Sequence, residues 1–338
     1  MYRTRFVTTK SPSTAPVLVA GRQHSGNTML SVLLGRMPGW YAQSEESTLL
    51  ERHGIIDQIV DVPARAEALV QAIGLEDPDH GPWLADYVKG RWIEDPSLPA
   101  LTMWRDAMDG LCMLREDTRW AQKGTSYIFY AQEVFDAWPD CRMLFMLRNP
   151  WDLVASRRKR NPKMEAVLST VLAWVKGVQL AEALERSYPD CFRIVQYEKV
   201  TAEGPDTIRS LCEWLDTPYD DAFLDVPHVN PSENPYVLES EGRQHGLNTS
   251  RIFQYRSRLK PHEVAATDMA LARLGGMPLI HRHYSDIPHT PGSHPLGAKC
   301  RAAAGLSIAP LRYLWVYLTY LKRSPMHIVT RTWRRMRS

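Results

Sequence analysis

The stretch VLVAGRQHSGNT, Val17 to Thr28, limits the fold more than any other part of the chain. Val17–Ala20 is a short apolar run that predicts a buried strand, and Met29 to Leu34 predicts a helix directly after it. The residues between them, Gly21 to Thr28, read G-x-x-x-x-G-N-T. A glycine-bounded turn from strand to helix aims backbone N–H groups and the helix N-terminus at an anion. The stretch differs in one residue from the phosphate-binding loop G-x-x-x-x-G-K-[ST], with Asn27 in place of the lysine. That lysine serves the β- and γ-phosphates of a nucleoside triphosphate, and an acid ending a second strand helps to hold its Mg²⁺. Here the second strand candidate, Met143–Leu147, runs into Arg148 instead. The pattern therefore predicts an anion bound without lysine or metal.

A third strand candidate is Phe192–Gln196, and both later strands follow a Pro-Asp-Cys turn. Helical stretches are expected at Pro150–Arg158, from about Met164 to Ser187, and from about Pro205 to Leu215 with proline in the first turn. Strands alternating with helices predict an α/β fold, and the resemblance of the first loop to a phosphate-binding loop implies one of the P-loop nucleotide hydrolase kind. Its central parallel sheet would carry helices on both faces. The region from Glu46 to about Arg119 reads as mostly helical, and its Trp83, Trp92 and Trp104 suit either a core or the wall of an acceptor pocket.

Charge divides the chain. From Ile287 to Ser338 there are nine Lys or Arg and no acid, against 32 basic and 38 acidic residues in the first 286. The expected organisation is a domain over 1–286, a Pro-, Gly- and His-rich linker over 287–304, and a basic tail over 305–338. In the tail, Pro310 can open a helix with Leu311, Leu314, Trp315, Leu318 and Leu321 on one face; Arg331, Arg334, Arg335 and Arg337 follow. Such a helix suits an anionic membrane surface, the catalytic domain or a second subunit. With no apolar run of membrane-spanning length and no signal-like N-terminus, a cytoplasmic protein is expected, peripheral to the membrane where the tail docks. The five cysteines have no metal-ligand spacing and are expected to be reduced, with no metal bound. Nothing predicts nucleic-acid binding, and the oligomeric state is left open.

In RNPWDLVAS, Arg148 ends a strand and Ser156 lies eight residues on, after Asp152 in the first turn of a helix. A guanidinium fork and a hydroxyl so placed suit a phosphate. Taken together, these stretches resemble the sulfotransferase family that uses 3′-phosphoadenosine-5′-phosphosulfate. The similarity extends, in order, to QKGTSY (Gln122–Tyr127), VQYEKV (Val195–Val200) and TSRIFQYRSRL (Thr249–Leu259), and covers roughly residues 15 to 275. The resemblance explains the missing lysine, because this donor has no γ-phosphate; its distinguishing anion is the 3′-phosphate.

The resemblance implies a role for each matching position. Arg22, Gln23, His24, Ser25, Gly26, Asn27 and Thr28 would form the loop around the 5′-phosphosulfate, with Asn27 and Thr28 at the start of the helix hydrogen-bonding it. Arg148 and Ser156 would read the 3′-phosphate, and Tyr197 would lie against adenine. Ser250 and Arg256 would reach the donor from a closing loop. Glu46 or Glu45 would take the acceptor's proton, and Lys123 would stand near the sulfuryl group. His24 stands where the family usually has Arg or Lys, which puts the leaving-group stabiliser in question between His24 and Lys123. The acceptor would be a hydroxyl on a sugar, glycolipid or other alcohol, lipid-linked if the tail lies on a membrane. Two other readings fit parts of the pattern: a P-loop kinase, and a non-catalytic membrane-associated protein with a degenerate nucleotide loop.

Overall fold

The structure, a computed structural model, describes residues 15–75, 79–158, 164–226, 246–284, 287 and 291–323, with the backbone alone at 44, 165 and 311–323. In chain order the first elements are β1 (Val17–Gly21), α1 (Asn27–Leu34), β2 (Trp40–Glu46), α2 (Leu49–Ile56), α3 (Val62–Ile73), α4 (Gly81–Glu94), α5 (Ala100–Leu114), β3 (Arg119–Lys123) and α6 (Ala131–Ala137). There follow β4 (Arg142–Leu147), α7 (Pro150–Arg158), α8 (Met164–Ser187), β5 (Phe192–Gln196), α9 (Tyr197–Ala202) and α10 (Gly204–Trp214). The remaining helices are α11 (Tyr255–Arg258), α12 (Pro261–Arg273), α13 (Met277–His283) and α14 (Leu296–Arg323).

The strands form one sheet in the order β2-β3-β1-β4-β5, with β3 parallel to both β1 and β2, and helices flank it. This is the expected α/β class. Connections leave β1 toward one edge of the sheet and β4 toward the other, so the order reverses between these neighbours. In open α/β sheets, ligands bind beyond the strand C-termini at such a reversal. Gly21 ends β1, and Arg148 follows the last residue of β4.

The chain divides into two compact units, residues 1–19 with 30–143 and residues 20–29 with 144–338. In the first, α5 turns Leu101, Met103, Trp104, Ala107, Met108 and Leu111 inward. Trp104 meets Trp120 and Trp138 with ring centroids 5.8 and 5.0 Å apart. Trp92 and Trp104 are fully buried, so these two tryptophans are core, while Trp83 is half-buried and stacked on Tyr87. Helix α3 is bounded by its own chemistry: the Asp61 carboxylate accepts from the Ala64 N–H at 2.9 Å, and Gly74 closes it in a left-handed conformation.

Strands β2 and β3 carry polar residues where a buried parallel sheet ordinarily carries apolar ones. Gln43 and Gln122 are 1% and 0% exposed. The Gln122 amide donates to Gln43 Oε1 at 2.6 Å and to the Ile73 carbonyl at 2.9 Å, and the Gln43 amide donates to the carbonyls of Ile73 and Gly74. Each buried amide is thus satisfied, the condition for tolerating it. No apolar pattern announced these two strands.

In the second unit, Ala166–Ser187 of α8 is long and apolar enough to cross a membrane by length and composition, but half of it is buried inside the protein. It packs against α7, α12 and α14. Trp174 of α8 donates to the Arg148 carbonyl at 2.9 Å and so fixes the end of β4. Helix α14 begins at Leu296, within the stretch read as linker, and carries Pro310 in its interior rather than at its first turn. Its Ala302, Leu306 and Ala309 are buried. The side chains of the expected amphipathic face, and the arginines beyond it, lie outside the described residues. All five cysteines are free thiols.

Candidate active site

The loop after β1 is shaped by two glycines. Gly26 sits at φ +105°, and a Cβ there would lie 2.6 Å from the Tyr197 ring. Gly21 approaches Asn27 and Met146 so closely that a Cβ would lie 2.4 Å from Asn27 Oδ1. The Asn27 amide turns back to donate to the Gly21 carbonyl at 3.0 Å, closing the loop on itself. The Asn27 side-chain nitrogen is thus engaged within the loop itself. What remains for an anion is backbone: α1 starts at Asn27, and the N–H groups of a helix's first turn have no intrahelical acceptor. Ser25 is buried, Thr28 and Arg22 are half-buried, and Gln23 is exposed. His24 has φ +71°, a conformation that histidine adopts more readily than most residues.

Arg148 ties this loop to the rest of the second unit. Its Nη1 donates to the His24 carbonyl at 3.0 Å, and its Nη2 donates to the Arg251 carbonyl at 2.7 Å. Its guanidinium carbon stands 4.3 Å from the centroid of the Tyr197 ring. Nε is buried with no hydrogen-bond partner among the described residues. A buried cation with an unused donor is what an added anion would satisfy. Ser156 lies further along α7 and is half-buried.

Tyr197 is almost wholly buried beside this loop. One side of its ring is under the Arg148 guanidinium, Gly26 packs against its edge, and 5% of the residue is exposed. It braces Arg148 and the loop after β1, and burial pushes its phenol above the ordinary value. Ser250 and Arg256 are both exposed in the segment from Thr249 to Arg258, where the Ser250 hydroxyl donates to Asn248 Oδ1. Sequence reasoning missed Arg251 in the same segment. Its carbonyl holds Arg148, and its charge is felt by the Tyr197 hydroxyl. The signal was present as a third basic residue in TSRIFQYRSR, with nothing in spacing to single it out.

In the first unit, the end of β2 meets the end of β3. The ladder pairs Gln43 with Gln122 and then Glu46 with Lys123, so an irregularity at Ser44–Glu45 puts Glu46 opposite the lysine. Glu45 and Glu46 therefore end a strand rather than begin a helix. Glu46 is exposed, and its Oε1 accepts from the Thr125 N–H at 3.0 Å and from the Thr125 hydroxyl. Glu45 is half-buried. Burial holds the Lys123 ammonium below the usual lysine range, while the Glu46 and Glu45 charges oppose that shift. An exposed carboxylate with a fixed orientation beside a partly desolvated ammonium can move a proton and stabilise developing negative charge.

A parallel sheet with a glycine-bounded anion loop after β1 and an arginine after β4 defines an α/β protein of the P-loop kind, with the loop lysine replaced. The chain belongs to the sulfotransferase family, whose family model matches residues 16–221, well over half of the chain. It is a sulfotransferase enzyme. Among solved structures it is similar in fold to the sulfotransferase domain of the Synechococcus PCC 7002 olefin synthase, with 17% identity and a TM-score of 0.53 over 82% of this chain and 99% of that one. It is also similar to the sulfotransferase domain from the curacin biosynthetic pathway, with 13% identity and a TM-score of 0.50 over 87% of this chain and 98% of that one. No match was found among curated protein sequences.

Proposed function

We propose that the protein transfers a sulfuryl group from 3′-phosphoadenosine-5′-phosphosulfate to a hydroxyl of its acceptor. The observation that carries this reading is Arg148. It is a buried guanidinium at the end of β4, bonded to the loop after β1 and with Nε unused. The backbone of Ser25, Gly26, Asn27 and Thr28 would receive the 5′-phosphosulfate. Arg148 and Ser156 would receive the 3′-phosphate, with Arg251 added to them in the segment that also holds Ser250 and Arg256.

In the chemical step the acceptor oxygen attacks sulfur in line, forming the new S–O bond as the bond to the phosphate oxygen breaks. The acceptor's proton passes to a carboxylate, and adenosine 3′,5′-bisphosphate leaves. We assign that carboxylate to Glu46, supported over Glu45 by its exposure and by its place opposite Lys123. Lys123 and His24 are the candidates for stabilising charge on the leaving phosphate oxygen. The acceptor is a hydroxyl compound, lipid-linked if the C-terminal tail docks on a membrane.

A thermal-shift titration tests the reading. Adenosine 3′,5′-bisphosphate should raise the melting temperature, whereas ATP with Mg²⁺ should not, and transfer should proceed in the presence of chelator. Stabilisation by ATP–Mg²⁺ alone would overturn the donor assignment. Binding of the bisphosphate with no transfer to hydroxyl compounds would overturn the acceptor class.

A further inference from the structure

Asp152 looks in the sequence like an acid favoured by a helix dipole. In the structure it is fully buried and surrounded by donors. Its Oδ1 accepts from the Tyr255 N–H at 2.9 Å; its Oδ2 accepts from the Phe253 N–H and from the Asn149 amide, both at 2.9 Å, with Arg148 Nη2 at 3.5 Å. The chain that supplies the two backbone donors has an unusual shape. Phe253 has φ +53°, a left-handed conformation for a residue with a side chain, and Gln254 follows in the right-handed region at φ −59° and ψ −17°. A left-handed residue beside a right-handed one turns successive N–H groups toward a common point and makes a concavity for an anion. Here the anion is the Asp152 carboxylate.

The aim of that carboxylate is set from behind. The Asp152 N–H donates to Asn149 Oδ1 at 2.8 Å, and the Asn149 backbone and amide donate in turn to Glu198 Oε1 at 3.0 and 2.7 Å. A buried relay therefore runs from Glu198 through Asn149 and Asp152 to the amides of Phe253 and Tyr255. Two residues before Phe253 is Arg251, whose carbonyl holds Arg148.

We infer that Asp152 is a positioning residue for the donor's 3′ end: it latches residues 251–255 against Arg148, so that recognition of the 3′-phosphate depends on the latch. This rests on the donor assignment above and goes beyond it, since it gives the 3′-phosphate preference to a residue that touches no ligand.

Two measurements on the full-length protein test it. Amide hydrogen exchange without ligand reads the latch in wild type and Asp152→Asn. Exchange at Phe253 and Tyr255 should rise about tenfold or more, with β4 unchanged. Calorimetric titration reads the use of the latch. The variant should lose about tenfold or more in affinity for adenosine 3′,5′-bisphosphate and little for adenosine 5′-phosphate. If Asp152→Asn does not fold, Asn149→Ala removes the amide that donates to Asp152 Oδ2 while keeping the carboxylate, and a loss of the same preference is expected. Unchanged exchange overturns the latch, and an unchanged preference for the bisphosphate overturns its role. A wild type that binds neither nucleotide overturns the donor assignment and this role together, whereas a wild type that binds the bisphosphate beside a variant with intact preference overturns this role alone.

Discussion

Arg148 divides its guanidinium between two backbone carbonyls and a ring face, which makes it both a structural tie and the candidate anion reader. The two roles separate by ligand. Arg148→Ala should weaken adenosine 3′,5′-bisphosphate by about 1.5–3 kcal/mol, tenfold or more, and AMP far less. Equal losses for the two nucleotides would leave Arg148 as a tie alone. Glu46→Gln keeps the shape and the hydrogen-bond reach but cannot take a proton. Turnover should fall about a hundredfold or more with bisphosphate affinity intact, and a similar fall in Glu45→Gln alone would move the base to Glu45. Lys123 adds a signed pH effect. Because burial lowers its folded value below the unfolded one, the unfolded chain binds more protons between the two values, and this group adds stability as pH rises through that window. If its ammonium is needed for transfer, activity falls over the same window in which that stability rises. In Lys123→Arg the alkaline limb of the rate profile should move to higher pH.

At the scale of the element, the loop after β1 depends on contacts that only glycine permits. Gly26→Ala meets both a left-handed backbone and the Tyr197 ring, so it should cost about 2 kcal/mol or more in urea unfolding. Bisphosphate binding should fall with it, because the Tyr197 ring that must move also supports Arg148. A variant as stable and as tightly binding as wild type would show that the loop repacks freely. The apolar strands β1, β4 and β5 and the helices α7, α8 and α10 were legible from period and turn residues. Strands β2 and β3 were not. Their buried Gln122 donates to Gln43, and both amides donate to carbonyls at the α3 end, and such pairing leaves no period in either segment. The β2 irregularity has the same standing: counting residues from either side cannot say which of Glu45 and Glu46 stands opposite Lys123, but the ladder register does.

At the scale of the molecule, the basic C-terminal region is joined to the second unit by a continuous helix. Since Ala302, Leu306 and Ala309 are buried, a cut at residue 300 would strip core along with the tail. Ending the chain after Arg323 spares the core and removes Arg331, Arg334, Arg335 and Arg337. If these arginines dock on an anionic surface, each adding about 1 kcal/mol, the full-length protein should co-sediment with phosphatidylserine vesicles at low salt and the shortened chain should not. Equal recovery of both proteins in the supernatant would overturn the membrane placement.

The sequence by itself determined the α/β class, the strand–loop–helix turn after β1 and the arginine–serine pair after β4. Each of these is local: periodicity, turn chemistry and motif spacing are properties of neighbours along the chain. Only the tertiary structure decided that Asn27 closes its own loop, that Tyr197 lies under the Arg148 guanidinium, and that Asp152 reaches residues about a hundred positions away. Those outcomes depend on which buried donor meets which acceptor across the fold. A buried polar group must find its partner wherever the packing brings one, and nothing in local spacing records where that is.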